Sequence, residues 1–415
     1  MYREIHTCRI CGNPKLDPIL NLGVQALTGV FPKAIDQPVE HGPLELVKCR
    51  TGQKEDTCGL VQLRHSFAPE QLYGDTYGYR SGLNQSMVRH LRKKAELIRK
   101  LVPIEAGDLV LDIGSNDGTL LAAMDKPGVE LVGMDPSASK FASFYPPHAR
   151  RVPDFFSAER FSREAGGRRA KVVTSIAMFY DLESPLQFMR EVYEVLADDG
   201  IWVFEQSYLP QMLAMNSYDT VCHEHLEYYA LRQILWMANK VGFEVADLEF
   251  NSVNGGSFSL AAGKKKMARP ASSALDNAIR EERDRALDSA RPYQEFADRV
   301  RRHRDALLEQ LQAMHKSGLR VIGYGASTKG NVVLQFCGIK GDLLPFIAEV
   351  NPDKFGAYTP GTLIPIISES EARAMRPDAF LVLPWHFREN IVEREKAFLQ
   401  SGGKLLFPLP TIELI

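Results

Sequence analysis

Short apolar runs alternate with amphipathic stretches along most of the 415 residues. Leu109-Val-Leu-Asp-Ile113, Val129-Glu-Leu-Val-Gly-Met134, Lys171-Val-Val-Thr-Ser-Ile176 and Gly200-Ile-Trp-Val-Phe-Glu205 all have strand length. Segments with helical spacing lie among them, from about Asn84 to Leu101, Ser137 to Tyr145 and Pro185 to Leu196. Near-continuous apolar strands are buried on both faces, so their alternation with helices predicts a parallel, doubly wound α/β sheet. A polar boundary, Lys264-Lys-Lys-Met-Ala-Arg-Pro270, then leads into charged helix from Ser272 to Lys316, interrupted at Pro292. Alternation resumes with strands expected within Leu319–Ala326, Asp342–Val350, Ala379–Leu383 and Lys404–Phe407. The expected division is a small module over 1–70, a first doubly wound unit over 71–265, and a helical linker with a second such unit over 266–415.

Composition narrows the class. A 45% hydrophobic, 25% charged chain of net charge −2 is globular in type. It has no basic surplus for nucleic acid or an anionic membrane, so its charge runs read as solvated helix faces. The first residues form no apolar signal core, and no run approaches the ~20 apolar residues of a membrane span, so the cytoplasm is the expected compartment.

The turn after the first strand points to a ligand. Asp112 ends the apolar run, and Gly114, Ser115, Asn116, Asp117 and Gly118 lead into a helix. These residues lack the glycine spacing that cradles a pyrophosphate, and two carboxylates repel phosphate. The second strand ends at Asp135-Pro136, where a carboxylate can accept hydrogen bonds from ribose hydroxyls. An adenosyl cofactor without phosphate fits best. The next turn, Asp154-Phe155, and a Tyr-Gly-rich stretch containing Tyr73, Tyr77 and Tyr79 complete the expected cofactor pocket, the latter as a lid.

Six cysteines in so long a chain make no disulfide framework. Cys8-x-x-Cys11 followed by Gly12 has the form of a zinc knuckle, and Cys49 and Cys58 supply a second, wider pair. A four-cysteine zinc site holding together a module with little core is expected, with His6, His41 or His65 as alternative fourth ligands.

Two further segments carry chemistry. Cys222-His223-Glu224-His225 follows the Glu205 strand, but adjacent residues point apart and no His-x-x-x-His spacing is present, so acid-base work is favoured over metal binding. An imidazole oriented by a neighbouring carboxylate suits removal of a proton next to a carbonyl. Gly323-Tyr324-Gly325-Ala326-Ser327-Thr328-Lys329-Gly330-Asn331 misses the dinucleotide spacing, yet its amides, hydroxyls and Lys329 would suit a diphosphate at a helix N-terminus, with Glu349 completing a nucleotide pocket.

Taken together, the Cys8/Cys11 knuckle, the Gly114 turn with Asp135, the Glu224-His225 pair and the Gly323 to Asn331 segment occur in an order that resembles the S-adenosylmethionine-dependent sugar C-methyltransferases of deoxysugar pathways. The resemblance spans nearly the whole chain and implies a zinc-binding N-terminal domain, a class I methyltransferase domain and a C-terminal Rossmann-like domain. It also implies C-methylation beside the ketone of a 4-keto-deoxy nucleotide sugar, with His225 as base and Glu224 as its partner. The chain departs from the family pattern at Cys222, where a tyrosine is usual, at Met178-Phe179-Tyr180-Asp181, where a histidine is usual, and at Asn254, which replaces a histidine before Gly255-Gly256-Ser257. Tyr180, His223 or Tyr228 is then expected to donate to the enolate oxygen. The rival readings are an O- or N-methyltransferase and a non-catalytic scaffold.

Overall fold

The computed structural model describes residues 2–52, 56–73, 79–264 and 273–415, so Tyr77 lies outside the described residues. Near the N-terminus lie β1 (Arg3–Glu4), β2 (Leu16–Ala26), β3 (His41–Cys49), β4 (Val61–Leu63) and β5 (His65–Ser66), of which only β2 and β3 are long. The strands β2, β3 and β4 pair antiparallel in succession, and β1 pairs with β5. The cysteines fall at Cys8 and Cys11 in the turn after β1, at the end of β3, and just before β4.

The central sheet contains β6 (Leu109–Ile113), β7 (Glu130–Met134), β8 (Arg150–Val152), β9 (Ala170–Ile176) and β10 (Leu196–Ser207). The two-residue strand β11 (Glu227–Tyr228) leaves it, and β12 (Phe243–Asn251) and β13 (Ser257–Lys264) return to it. Its order is β12-β13-β10-β9-β6-β7-β8, parallel from β10 to β8, with β13 antiparallel to both neighbours. All five residues of β6 are buried, as expected of a central strand covered on both faces. Strand order reverses at β6, so a crevice opens at the carboxyl ends of β6 and β9, the usual ligand position in such sheets.

One helix expected from the sequence does not form. Residues 136–145 make two 3₁₀ turns, Pro136–Ser139 and Ala142–Phe144. Asp135 accepts from the Ser137 amide at 2.6 Å and from its hydroxyl at 2.5 Å. Side chains that bond the local backbone in this way compete with helix, and Pro146 stops propagation.

The helices Ser273–Asp284 and Arg291–Lys316 are separated ahead of Pro292, which sits in the first turn of the second, where its missing N–H costs nothing. Then come β14 (Val321–Tyr324), β15 (Ile347–Glu349), β16 (Ile366–Ser368), β17 (Ala379–Val382), β18 (Lys404–Phe407) and β19 (Glu413–Leu414). Their order is β16-β15-β14-β17-β18-β19, parallel except for the last, giving the second Rossmann-like sheet. Among the described residues, no helix is long and apolar enough to cross a membrane.

A buried charge cluster fixes the helix Gln85–Leu101 to the carboxyl end of β10. Glu205 lies 2.6 Å from His90 Nε2 and 3.0 Å from Lys94 Nζ, and it accepts from Asn251 at 2.9 Å. Burial raises the Glu205 pKa, but His90 and Lys94 more than reverse this and hold it below its usual value. Its contribution to stability is therefore present above the unfolded carboxylate pKa and lost as pH falls through the folded one. Replacing Lys94 by Met should destabilise the fold by ~3–5 kcal/mol near neutral pH, because the carboxylate stays buried with less compensation. Denaturant titrations should show that loss shrinking in acid, as Glu205 takes up a proton.

Candidate active site

The four N-terminal cysteines come together in space. Their Sγ atoms all lie within 4.8 Å of one another, with Cys8 and Cys58 3.5 Å apart and Cys11 and Cys49 3.5 Å apart. Four thiolates bonded to zinc at about 2.3 Å would stand roughly 3.8 Å apart, so the set fits a tetrahedral ion. Asn13 Nδ2 donates to Cys49 Sγ at 3.4 Å, as a second partner supporting a metal thiolate does. The histidine alternatives are not needed.

At the carboxyl edge of the central sheet, Asp112 is buried and accepts from Thr174 Oγ1 at 2.6 Å. Burial pushes its pKa up to about 7, and the threonine bond only partly opposes this. A cation arriving here would draw the carboxyl back into its ionised form and be held by it. Gly114 and Gly118 have φ of 72° and 74°, and a Cβ on Gly118 would meet the Tyr145 ring at 2.8 Å, so the turn needs glycine there.

The neighbouring polar groups serve the turn itself. Ser115 Oγ bonds Tyr145, whose hydroxyl donates to the Asn116 carbonyl at 2.8 Å. The Asn116 amide donates to Asp135 Oδ2 at 2.9 Å, while its side chain takes the Ser81 amide and reaches the Tyr79 carbonyl. Asp117 accepts from the Gly82 amide at 2.8 Å. The Ser115, Asn116 and Asp117 side chains thus hold the turn and clamp the stretch 79–82 to it. Asp135-Pro136 starts the next turn, and Phe155 stands 40% exposed beyond β8, while Asp154 bonds the Phe155 amide and pairs with Arg160.

The segment 218–228 is held from three sides. Tyr218 is fully buried and bonds His303 Nδ1 at 3.1 Å, and the other nitrogen of His303 donates to the Pro408 carbonyl at 2.5 Å. The Leu226 amide donates to the Tyr180 carbonyl, and its own carbonyl accepts from the Leu63 amide of the N-terminal module. The strand β11 then pairs with β4, making the fourth strand of the N-terminal sheet.

Within this frame His225 Nδ1 lies 2.9 Å from the Thr220 carbonyl. A carbonyl only accepts, so the ring proton sits on Nδ1 and Nε2 is left as the basic nitrogen. Tyr180 packs edge-on against the imidazole at 4.4 Å between centroids. Desolvation first, then the Lys329 cation, push the His225 pKa down to about 3, so the ring is neutral.

Several expected roles change. Glu224 does not orient His225: its carboxyl bonds Thr28 Oγ1 at 3.2 Å, and burial raises its pKa. The side chain of His223 turns the other way, with Nε2 on the Gly42 carbonyl at 3.1 Å and the ring against Phe67. The Tyr228 hydroxyl is directed to the carbonyls of His225 and Thr220, at 3.0 and 3.3 Å. Of the three sequence candidates for an enolate donor, Tyr180 is the one at the imidazole.

The C-terminal sheet reaches the same place by an unexpected route. Tyr324 points inward to Glu395 at 3.0 Å, Ser327 caps the helix Thr328–Cys337 through the Gly330 amide, and Asn331 donates to the Thr28 carbonyl at 2.8 Å. Glu349 accepts from the amides of Ala326, Val350 and Asn351. The glycines of this turn are explained by packing, since a Cβ on Gly325 would meet Pro384 and one on Gly330 would meet Leu383. Lys329 lies near enough to shift both His225 and His386, and it is paired in charge with Asp219. Sequence reasoning missed the loop after β17: Trp385 Nε1 donates to Asp219 Oδ2 at 2.8 Å, and the next residue is His386. The side chain of Asn254 lies outside the described set.

Sheet order and the acidic first turn define a class I S-adenosylmethionine-dependent methyltransferase carrying a zinc-binding module. The chain matches family models described as "Putative zinc binding domain" over residues 8–73, "Methyltransferase domain" over 87–248 and "C-methyltransferase C-terminal domain" over 252–410. It is 31% identical to C-methyltransferase NovU of Streptomyces niveus over 417 residues, covering 100% of this chain and 97% of that protein. The chain belongs to the C-methyltransferase family. Solved structures similar to it include the CcbJ methyltransferase of Streptomyces caelestis, 16% identical over 42% of this chain and 89% of that one at a TM-score of 0.32. The mitomycin 7-O-methyltransferase MmcR is 12% identical over 44% and 55% at 0.34.

Metal analysis should find about one zinc per chain, and Cys8→Ser should lower metal content and melting temperature together. S-adenosylmethionine presents two cations, its ammonium and sulfonium, and binding beside Asp112 should lower that carboxyl's raised pKa. Cofactor affinity should therefore fall as pH drops below about 7, and calorimetry near pH 6 should show release of up to about one proton as a heat that depends on the buffer. Asp112→Asn should bind without that release.

Proposed function

We propose that this enzyme removes a proton from the carbon beside the ketone of a 4-keto-deoxy nucleotide sugar, at C-3, and methylates that carbon. The observation that carries the reading is His225, a neutral imidazole whose proton is fixed on Nδ1 by the Thr220 carbonyl and whose Nε2 is free to act as base. Carbon becomes a nucleophile only after such a base has acted, which is the demand that separates C-methylation from methylation of oxygen or nitrogen. Bound S-adenosylmethionine supplies the electrophilic methyl. In this reading Asp112 faces the cationic end of the cofactor, Asp135 its ribose and Phe155 its adenine.

The substrate is held from the other walls. Lys329, in the first turn of Thr328–Cys337, attracts the diphosphate, aided by the helix N-terminus. Neutralising Lys329 removes a charge that depresses His225, so substrate binding itself makes the base stronger. Glu224 acts through Thr28, holding the N-terminal loop against the catalytic segment.

Incubating 4-keto nucleotide sugars with labelled methyl donor should yield a product that has gained one labelled methyl group, bonded to carbon. Products labelled only on oxygen or nitrogen would overturn the proposal. His225→Ala should slow both methylation and exchange of the adjacent proton with deuterated water by ~10²–10⁴-fold, with cofactor affinity retained. Glu224→Gln should keep most of the exchange rate, since its carboxyl does not touch the imidazole. The acid limb of kcat, which reports the substrate complex, should lie at higher pH than the acid limb of kcat/KM.

A further inference from the structure

The reaction proposed above pushes an electron pair onto the ketone oxygen, and that oxygen needs donors. Tyr180 flanks the base, and a second group stands on the wall formed by the C-terminal sheet. His386 follows β17 in the loop Pro384–Phe387, which is held in three ways. Trp385 donates to Asp219 in the turn that leads to His225, a Cβ on Gly255 would touch the Trp385 ring at 3.5 Å, and one on Gly325 would strike Pro384 at 2.9 Å. The imidazole meets Trp385 edge-on and Phe387 at a tilt, with centroids 5.9 and 4.3 Å away. Its Nδ1 is buried and has no hydrogen-bond partner among the described residues. A buried polar atom of this kind in a rigid loop calls for a partner, and a bound ligand is one that can supply it.

We propose that His386 is a further catalytic residue, its Nδ1–H donating to the substrate ketone oxygen as His225 removes the neighbouring proton. The inference rests on the proposed sugar chemistry. In the step, the proton passes from carbon to His225 Nε2, the C–H pair becomes the C=C bond, and the carbonyl π pair moves to oxygen, where it meets the His386 N–H. No oxidant or reductant is involved. Burial and the nearby Lys329 cation keep His386 uncharged, with its pKa well below the usual value. A neutral imidazole suits this role, because it polarises a carbonyl without adding a second charge beside Lys329. The division of labour follows from the fold: the segment after the central sheet's β10 carries the base, and the loop after β17 of the C-terminal sheet carries the donor.

The test compares His386→Phe, which fills the space without a donor, with His386→Asn, which keeps an N–H near Nδ1. The readout is solvent deuterium exchange beside the ketone without methyl donor, with cofactor affinity and melting temperature measured alongside. His386→Phe should lower the exchange kcat by ~10²–10³-fold, the scale for one oxyanion donor, with little change in KM. His386→Asn should recover at least about tenfold of that loss. Exchange by His386→Phe at the wild-type rate, or a change confined to KM, would overturn the role of His386 while leaving the proposed reaction standing. Wild-type enzyme that exchanges no proton from any 4-keto nucleotide sugar would overturn both. If His386→Phe does not fold, His386→Ala takes its place against His386→Asn.

Discussion

Everything chemical in this protein depends on where the segment from Tyr218 to Tyr229 is held, and a two-residue strand pairing settles that. Glu227 and Tyr228 pair with Gln62 and Val61, so the segment that carries His225 also completes the sheet of the zinc module. Tyr218 anchors its start through His303 to the C-terminal tail, and Leu226 joins the central sheet's Tyr180 to the module's Leu63. No single sheet can move without carrying the imidazole with it. A zinc ion held by the four cysteines would thereby act on geometry, by fixing the module to which the segment carrying His225 is paired.

The same arrangement explains the electrostatics. On each of these elements burial drives carboxyls and imidazoles alike toward their neutral forms. Asp112, Glu224, His225 and His386 all follow that rule. Lys329 is the cation that shifts both imidazoles, and an anionic substrate would change its influence on them at once.

Much of this was legible in the sequence because the signals were local. Continuous apolar strands gave both sheets, the Cys8-x-x-Cys11 knuckle announced its ion, and Gly114 with Asp112 marked the crevice. Errors arose where the deciding partner was distant. Adjacency suggested that Glu224 orients His225, but the backbone carbonyl of Thr220 does so, and a carbonyl leaves no mark in composition. The glycines at 325 and 330 answer to packing as well, since they make room for Pro384 and Leu383, some sixty and fifty residues on. His386 is brought near Lys329 by the pairing of β14 and β17, which no local pattern encodes. Asp135, read as a ribose acceptor, and Glu349, read as completing a nucleotide pocket, also share a structural use: each ties the first turn of its sheet to the second through backbone amides.

The shared strand also has a consequence for how the chain is made. During synthesis the module's cysteines and β2 to β4 emerge first, but the strand that covers β4 is not available until residue 228 has left the ribosome. At ~5–20 residues per second that wait is on the order of ten to thirty seconds. Throughout it, β4, which is wholly buried in the finished fold, presents an open edge, the kind of surface on which nascent chains stick to one another. Early capture of zinc by the four thiols would hold that edge in a defined shape while its partner is still being translated, so the metal guards biogenesis as much as the finished enzyme.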